Sequence, residues 1–487
     1  MSRVLLISND YVRRAMAGPA IRSVELARQL WRAGNDVKLA VPVSTDLDEL
    51  PFRLVPYDPN DSKTLAEPAE WADAVVLQGW VLERNPFLRL VGARLVVDLY
   101  DPFPLEFLAT VAVDGKRERF PQWEHVLGVL LEQVRLGDYF LCASQRQRDF
   151  WLGMLLTLGR INAATYERDT SLRSLVDVVP FGIPDDPPRK RAAAMRGVMP
   201  GIGADDFVLM WAGGVYNWFD PLTLIEAIAV VARVHRHVRL CFLAASHPNP
   251  DVPPMEMLRR ARQCSDELGL TDTHVFFNEE WVQYGARADW LLEADVGVSI
   301  HPEHVETRFS FRTRILDYLW AGIPVICTAG DSLADLVERE DAGLTVTAEE
   351  PEVLAEAIQA LIDDPEGRAR RGHNARALGG TMTWERAAAP LLRYCSNPWP
   401  AADLADLDLG NTVPVPLRTD AERRRRLDGN RPSEVDVRPE TPAASGQRPG
   451  SHSHEAGHVA GRALRILIGE GPTSLVRRVR HALRREP

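Results

Sequence analysis

Arg3-Val4-Leu5-Leu6-Ile7-Ser8 opens the chain as an apolar run, and Val37-Lys38-Leu39-Ala40-Val41 repeats the pattern some thirty residues later. Between them stand a polar loop containing Gly18-Pro19 and a stretch with apolar residues at Ile21, Val24, Leu26, Ala27, Leu30 and Trp31, stopped by Gly34. That spacing predicts a helix, and strand, helix and strand in succession make one βαβ unit. Strands this apolar suit a parallel sheet covered on both faces. Ala74-Val75-Val76-Leu77-Gln78 and Leu95-Val96-Val97-Asp98-Leu99 read as further strands. Each ends in polar or glycine residues at its carboxyl end, where such sheets hold ligands.

The pattern restarts near residue 205. Asp206-Phe207-Val208-Leu209-Met210-Trp211 reads as a strand and Ala212-Gly213-Gly214 as a turn, followed by an amphipathic helix from Leu222 to Arg233. Strands are expected again at Val238–Leu243, His274–Phe277 and Val296–Ile300. The fold class is therefore α/β, two Rossmann-like parallel-sheet domains in sequence. The boundary is set near Phe181-Gly182-Ile183-Pro184 and the Asp/Pro/Arg-rich stretch through Lys190.

A chain of 487 residues is too long for one core, in keeping with two domains and appendages. Its five cysteines (Cys142, Cys241, Cys264, Cys327, Cys395) are scattered and never form a CxxC pair. That pattern argues against a disulfide framework or structural zinc and for a reducing compartment. The first apolar run is too short for a signal peptide, and no run of about twenty apolar residues suggests a membrane span. A cytoplasmic protein is expected. The net charge of −11 disfavours nonspecific nucleic-acid binding. From 401 to 460 periodicity fades and a disordered linker is expected. Residues 461–487 carry seven arginines against Glu470 and Glu486, with Leu, Ile and Val at helical spacing. A basic amphipathic helix there would suit an anionic membrane surface, the inner face of the plasma membrane.

Four segments carry candidate chemistry. Gly18 and Arg22 belong to the loop and helix start after the first strand, where backbone amides and a helix N-terminus favour an anion. No GxGxxG is present, so a dinucleotide fingerprint is absent. Gly213 and Gly214 lead to Tyr216, Asn217 and Trp218, a turn suited to a diphosphate and a stacked ring, with Asp220-Pro221 as an N-cap. In the third segment Arg308, Arg312 and Arg314 place cations near a helix start, Ser310 and Thr313 add hydroxyls, and Asp317 follows one turn on. In the fourth, Asp98 and Asp101 end an N-domain strand, and Asp101 is the preferred group to orient an acceptor hydroxyl.

Leu316-Asp317-Tyr318-Leu319-Trp320-Ala321-Gly322-Ile323-Pro324-Val325 resembles the donor-site helix of the retaining GT-B glycosyltransferases, the group 1 superfamily that includes glycogen synthases and bacterial mannosyltransferases. The likeness covers roughly residues 1–400. It implies GT-B architecture, two Rossmann-like domains facing a central cleft, followed by the linker and the basic helix. An acceptor-side domain would span 1–185, a nucleotide-sugar-binding domain 186–375, and a helical return segment 376–400. It further implies a sugar transferred with retention from a nucleoside-diphosphate sugar to a hydroxyl acceptor. Membrane association through the basic tail would fit a lipid-linked glycan acceptor in cell-envelope assembly, and with no DxD in the cleft segments neither metal nor cofactor is expected. Asp317 would hold the donor ribose, Ser310 to Thr313 (with Phe311 and Arg312 between) would receive the diphosphate, and Asn278 to Val282 would border the base, with Trp281 as stacking surface.

The chain departs from the family pattern in three places. Phe309 stands where the family's first donor glutamate falls, Ser310-Phe311-Arg312 replaces a Gly-Phe-Gly stretch, and no Arg or Lys follows Gly213-Gly214. Arg312 and Arg314 are therefore expected to neutralise the diphosphate from the opposite side, with Arg314 and Asp101 as the catalytic pair. Two other classes fit the same segments: a nucleotide-sugar epimerase, and a noncatalytic binding partner of a polysaccharide machine.

Overall fold

The structure, a computed structural model, describes residues 1–47, 50–114, 120–245, 247–250, 252 and 254–404. The basic segment 461–487, and all but the first four residues of the expected linker, lie outside the described residues.

The first domain is a seven-stranded sheet: β1 (Arg3–Ile7), β2 (Asp36–Pro42), β3 (Arg53–Tyr57), β4 (Ala74–Leu77), β5 (Arg94–Asp98), β6 (Tyr139–Cys142) and β7 (Val176–Val178). Its spatial order is β3-β2-β1-β4-β5-β6-β7, and every pairing is parallel. The second is a six-stranded sheet: β8 (Phe207–Trp211), β9 (Val238–Phe242), β10 (Val275–Phe277), β11 (Val296–Ser299), β12 (Val325–Thr328) and β13 (Gly343–Val346). Its order is β10-β9-β8-β11-β12-β13, again all parallel. In each sheet the order reverses beside the domain's first strand, where the loops at the carboxyl ends part and leave a crevice.

Central strands such as β4 and β8 are buried on both faces because helices cover both sides. The helix Gly18–Arg32 starts with Pro19 in its first turn, and Gly34 turns the chain at φ 85°. The helix Thr313–Ala321 ends at Gly322, a left-handed C-cap at φ 71°.

The two domains are joined twice. Ile183 accepts from the Trp384 amide at 3.0 Å and donates to Met382 at 2.9 Å, so the outgoing and returning chains run side by side. A Cβ at Gly182 would sit 2.5 Å from the Trp384 backbone, which excludes any side chain at the crossing. The helix Pro365–Gly379 stays with the second domain, so the return begins after it rather than at 376. The last described helix, Trp384–Ser396, packs on Gly18–Arg32 of the first domain, and Tyr394 stacks on Tyr139 with 4.4 Å between ring centroids.

Candidate functional site between the two sheets

A cavity of about 460 Å³ opens between the carboxyl ends of the two sheets. Gly18, Asp101, Gly213, Gly214, Trp218 and Trp281 line it, as do Ser310, Phe311, Arg312, Thr313, Arg314 and Asp317. Five segments spread between Gly18 and Asp317 thus meet, as the strand order requires.

Gly213 takes φ 80°, which turns the chain at the end of β8, where Gly213 and Gly214 line the cavity. Opposite it stands the start of the helix Thr313–Ala321, whose first turn has no side-chain cap. Its open amides carry the positive end of the helix dipole.

Arg314 follows directly. It is 7 % exposed, donates to the Gly214 carbonyl at 3.0 Å and lies over the rings of Phe219 and Trp211, at 4.0 and 4.3 Å. Its Nη1 has no partner, and no carboxylate pairs with it among the described residues. Burial, with Arg312 nearby, pulls its pKa down to about 10, so it remains a cation at neutral pH. A buried guanidinium with a free donor is a socket for an anion.

Arg312 is less free. Its Nη2 meets Glu306 at 2.6 Å, and Nε is left without a partner. Asp317 accepts from Arg287 Nε at 3.1 Å, and Arg287 is held between Tyr284 and Trp320 at 3.7 and 4.4 Å from their rings. This ion pair fixes the Asp317 carboxylate at the cavity edge while leaving it partly exposed. Trp281 donates to the Met16 carbonyl at 3.2 Å and so bridges the domains. Trp218 stacks flat on Tyr216, with centroids 4.9 Å apart.

Two expected site residues lie elsewhere. Arg22 is fully buried and donates Nε and Nη2 to Asp98 at 2.6 and 2.9 Å, with the Val179 and Pro180 carbonyls taking its remaining donors. It joins β5 to the chain after β7 and is not among the residues that line the cavity. Asn217 is turned away from the cavity and accepts from the Met257 amide at 3.0 Å, fastening the start of the helix Glu256–Glu267. Asp220 does cap the helix Pro221–Val231, through the Thr223 amide at 3.0 Å.

The sequence reading missed Asp10, Glu106, His247 and Arg287, all on the cavity wall. Glu106 hydrogen-bonds Asp101, five positions before it. Its signal was an acid inside the otherwise apolar run Phe103-Pro104-Leu105-Glu106-Phe107-Leu108. Burial, the neighbouring charges of Glu306 and Asp98, and the Glu106 hydrogen bond together set the Asp101 pKa at about 6, with burial dominant. Burial and the Asp101 charge push Glu106 well above the usual carboxylate range.

Two parallel sheets closing on a cavity of this kind define the GT-B fold of glycosyltransferases. Residues 206–364 match the family described as glycosyl transferases group 1. A D-inositol 3-phosphate glycosyltransferase of Xylanimonas cellulosilytica is 30 % identical over 224 residues, 45 % of this chain and 50 % of that protein. The counterpart of Saccharomonospora viridis is 29 % identical over 205 residues. The chain spans about half the length of the curated relatives it matches. Among solved structures, sucrose-phosphate synthase from Thermosynechococcus elongatus superposes with TM-score 0.56 at 18 % identity, over 81 % of this chain and 98 % of that one. Anabaena HepE in complex with UDP-glucose does so at 0.58 and 15 %, over 81 % and 100 %. No described helix is long and apolar enough to cross a membrane.

Proposed function

We propose that this protein is a retaining glycosyltransferase that moves a sugar from a nucleoside-diphosphate sugar to a hydroxyl acceptor without a metal ion. One observation carries the reading: Arg314, buried, cationic and without a carboxylate partner among the described residues, lines the cleft beside an uncapped helix start. The donor diphosphate lies against Arg314, Arg312 and the amides of Thr313 and Gly214. Asp317 faces the ribose, and Trp281 borders the base. The acceptor hydroxyl approaches from the Asp101 side and bonds to the anomeric carbon as the bond from that carbon to the diphosphate oxygen breaks. Its proton passes to the departing diphosphate, and the arginines stabilise the charge that develops there.

The acceptor in this reading is a lipid-linked glycan of the cell envelope. The enzyme works in the cytoplasm, held on the inner face of the membrane by residues 461–487.

A panel of nucleotide sugars, beginning with UDP-glucose, tests the assignment. Slow release of nucleoside diphosphate, undiminished by excess chelator, is the expected result. A new sugar isomer would indicate an epimerase, and binding without turnover a noncatalytic partner. Sedimentation with anionic vesicles, compared between the full chain and a 1–460 truncation, tests the membrane role; equal partitioning removes it.

A further inference from the structure

The two walls of the cleft carry opposite charge. The C-terminal domain brings Arg287, Arg312 and Arg314 to the cavity, with Asp317 as its acid. The N-terminal domain brings Asp10, Asp101 and Glu106, and among the described lining residues it brings no lysine, arginine or histidine. Arg22, the nearest candidate, is consumed by Asp98 and two carbonyls. Asp10 is held in place across the domain gap by Asn249 Nδ2 at 2.8 Å.

The atoms that ask for an anion all lie on one side. Arg314 Nη1 and Arg312 Nε are unpartnered, on side chains 7 % and 4 % exposed. A diphosphate seated there leaves the second substrate between it and the acidic wall. Carboxylates accept hydrogen bonds from hydroxyls and ammonium groups, whereas a phosphate has only acceptors to offer them. Like charges at such range in a partly buried cleft repel by more than they would in water.

We infer that the sugar residue receiving the transfer is neutral or carries an amine, and that Asp10 and Asp101, the latter steadied by its hydrogen bond with Glu106, select against a phosphorylated or otherwise anionic acceptor. The inference rests on the donor reading above and adds the chemical class of the second substrate.

The full-length protein, with a donor it hydrolyses, is given matched acceptors at pH 8: glucose against glucose 6-phosphate, and myo-inositol against inositol 3-phosphate, with glucosamine added. Nucleoside-diphosphate release is read for each. The expected result is at least about a tenfold preference for the uncharged member or for the amine, equivalent to about 1.4 kcal/mol. Glu106→Lys should narrow that preference by raising the rate with the phosphorylated member. A ratio near one for every pair, or faster release with the phosphates, overturns the inference. Calorimetry with nucleoside diphosphate alone is run in parallel. Binding there together with a flat acceptor ratio overturns the acceptor inference and leaves the donor reading standing, whereas absence of binding removes both.

Discussion

Arg312 and Glu306 meet at 2.6 Å with both side chains almost wholly out of water, while Arg314, two residues on, is buried with no carboxylate partner among the described residues. The difference separates, within a single turn, an arginine that also holds the fold from one that does not. Removing one partner of a buried pair strands the other charge, whereas removing an unpaired buried charge relieves a desolvation cost. Aromatic faces at Trp211 and Phe219 offset part of that cost for Arg314, by roughly 2 kcal/mol or more for a desolvated contact.

Arg314→Met should therefore leave the melting temperature unchanged or raise it, while nucleoside-diphosphate affinity falls. The loss of a charged hydrogen bond is worth about 1.5–3 kcal/mol, on the order of 10- to 100-fold in affinity. Arg312→Met should instead destabilise by about 3–5 kcal/mol, because Glu306 is left buried and alone. Thermal melts and calorimetry on both variants check the contrast. A melting loss for Arg314→Met equal to that of Arg312→Met would refute it.

Arg22 and Asp98 make the opposite case, a buried pair far from the ligand. Arg22→Met should destabilise by about 3–5 kcal/mol through the orphaned Asp98 carboxylate and the two carbonyls that lose their donor. Donor affinity, measured below the shifted melting temperature, should not move. A selective loss of donor binding without loss of stability would return Arg22 to the site.

The pH dependence follows from Asp101. Its pKa is raised from 3.8 to about 6, so the folded protein holds this proton more tightly than the unfolded chain. The stabilising contribution is complete below about pH 3.8 and is lost as pH rises through 6. Activity should run the other way: if the ionised carboxylate orients the acceptor, kcat/KM climbs through an acid limb near pH 6. Asp101→Asn should flatten that limb. Glu106→Ala removes a hydrogen bond that lowers the Asp101 pKa and should move the limb to higher pH. A profile identical in all three proteins would separate Asp101 from the reaction.

How far the sequence discloses the molecule depends on whether a feature is local. The runs at β1, β4 and β8 declare themselves because burial on both faces demands uninterrupted apolar residues. β7 is three residues long with Asp177 at its centre, and β3 is an edge strand containing Pro56, so neither carries that signature. Gly213-Gly214 and the stretch from Ser310 to Asp317 were legible because turn, cap and charge fall within a few positions. The pairing of Arg22 with Asp98 was hidden because its partner is 76 residues away and is brought close only by strand order. Glu106 escaped for a related reason: its site-facing position depends on how the helix Phe103–Asp114 leaves β5.

The strand order also explains why Gln147 should matter more than its chemistry suggests. It is fully buried in the first domain, and its single amide nitrogen donates to the Tyr100 carbonyl at 2.7 Å and to the Phe309 carbonyl of the second domain at 2.8 Å. Its Oε1 receives the Ala143 amide at 2.7 Å, which fixes the orientation of the side chain. Tyr100 immediately precedes Asp101, and Phe309 immediately precedes Ser310, so one group sets the spacing between the acceptor wall and the donor wall. Gln147→Leu would leave both carbonyls and the Ala143 amide unpaired, at about 1–3 kcal/mol for each group that water does not reach. The closed arrangement should then be harder to populate, with kcat falling as catalytic groups lose registry and the diphosphate contacts of Arg314 largely kept. Nucleoside-diphosphate affinity within about threefold of the parent, together with a tenfold or greater drop in kcat, is the expected pattern, since a tenfold change needs only about 1.4 kcal/mol. Equal losses in both would mean that Gln147 supports the fold of the first domain alone.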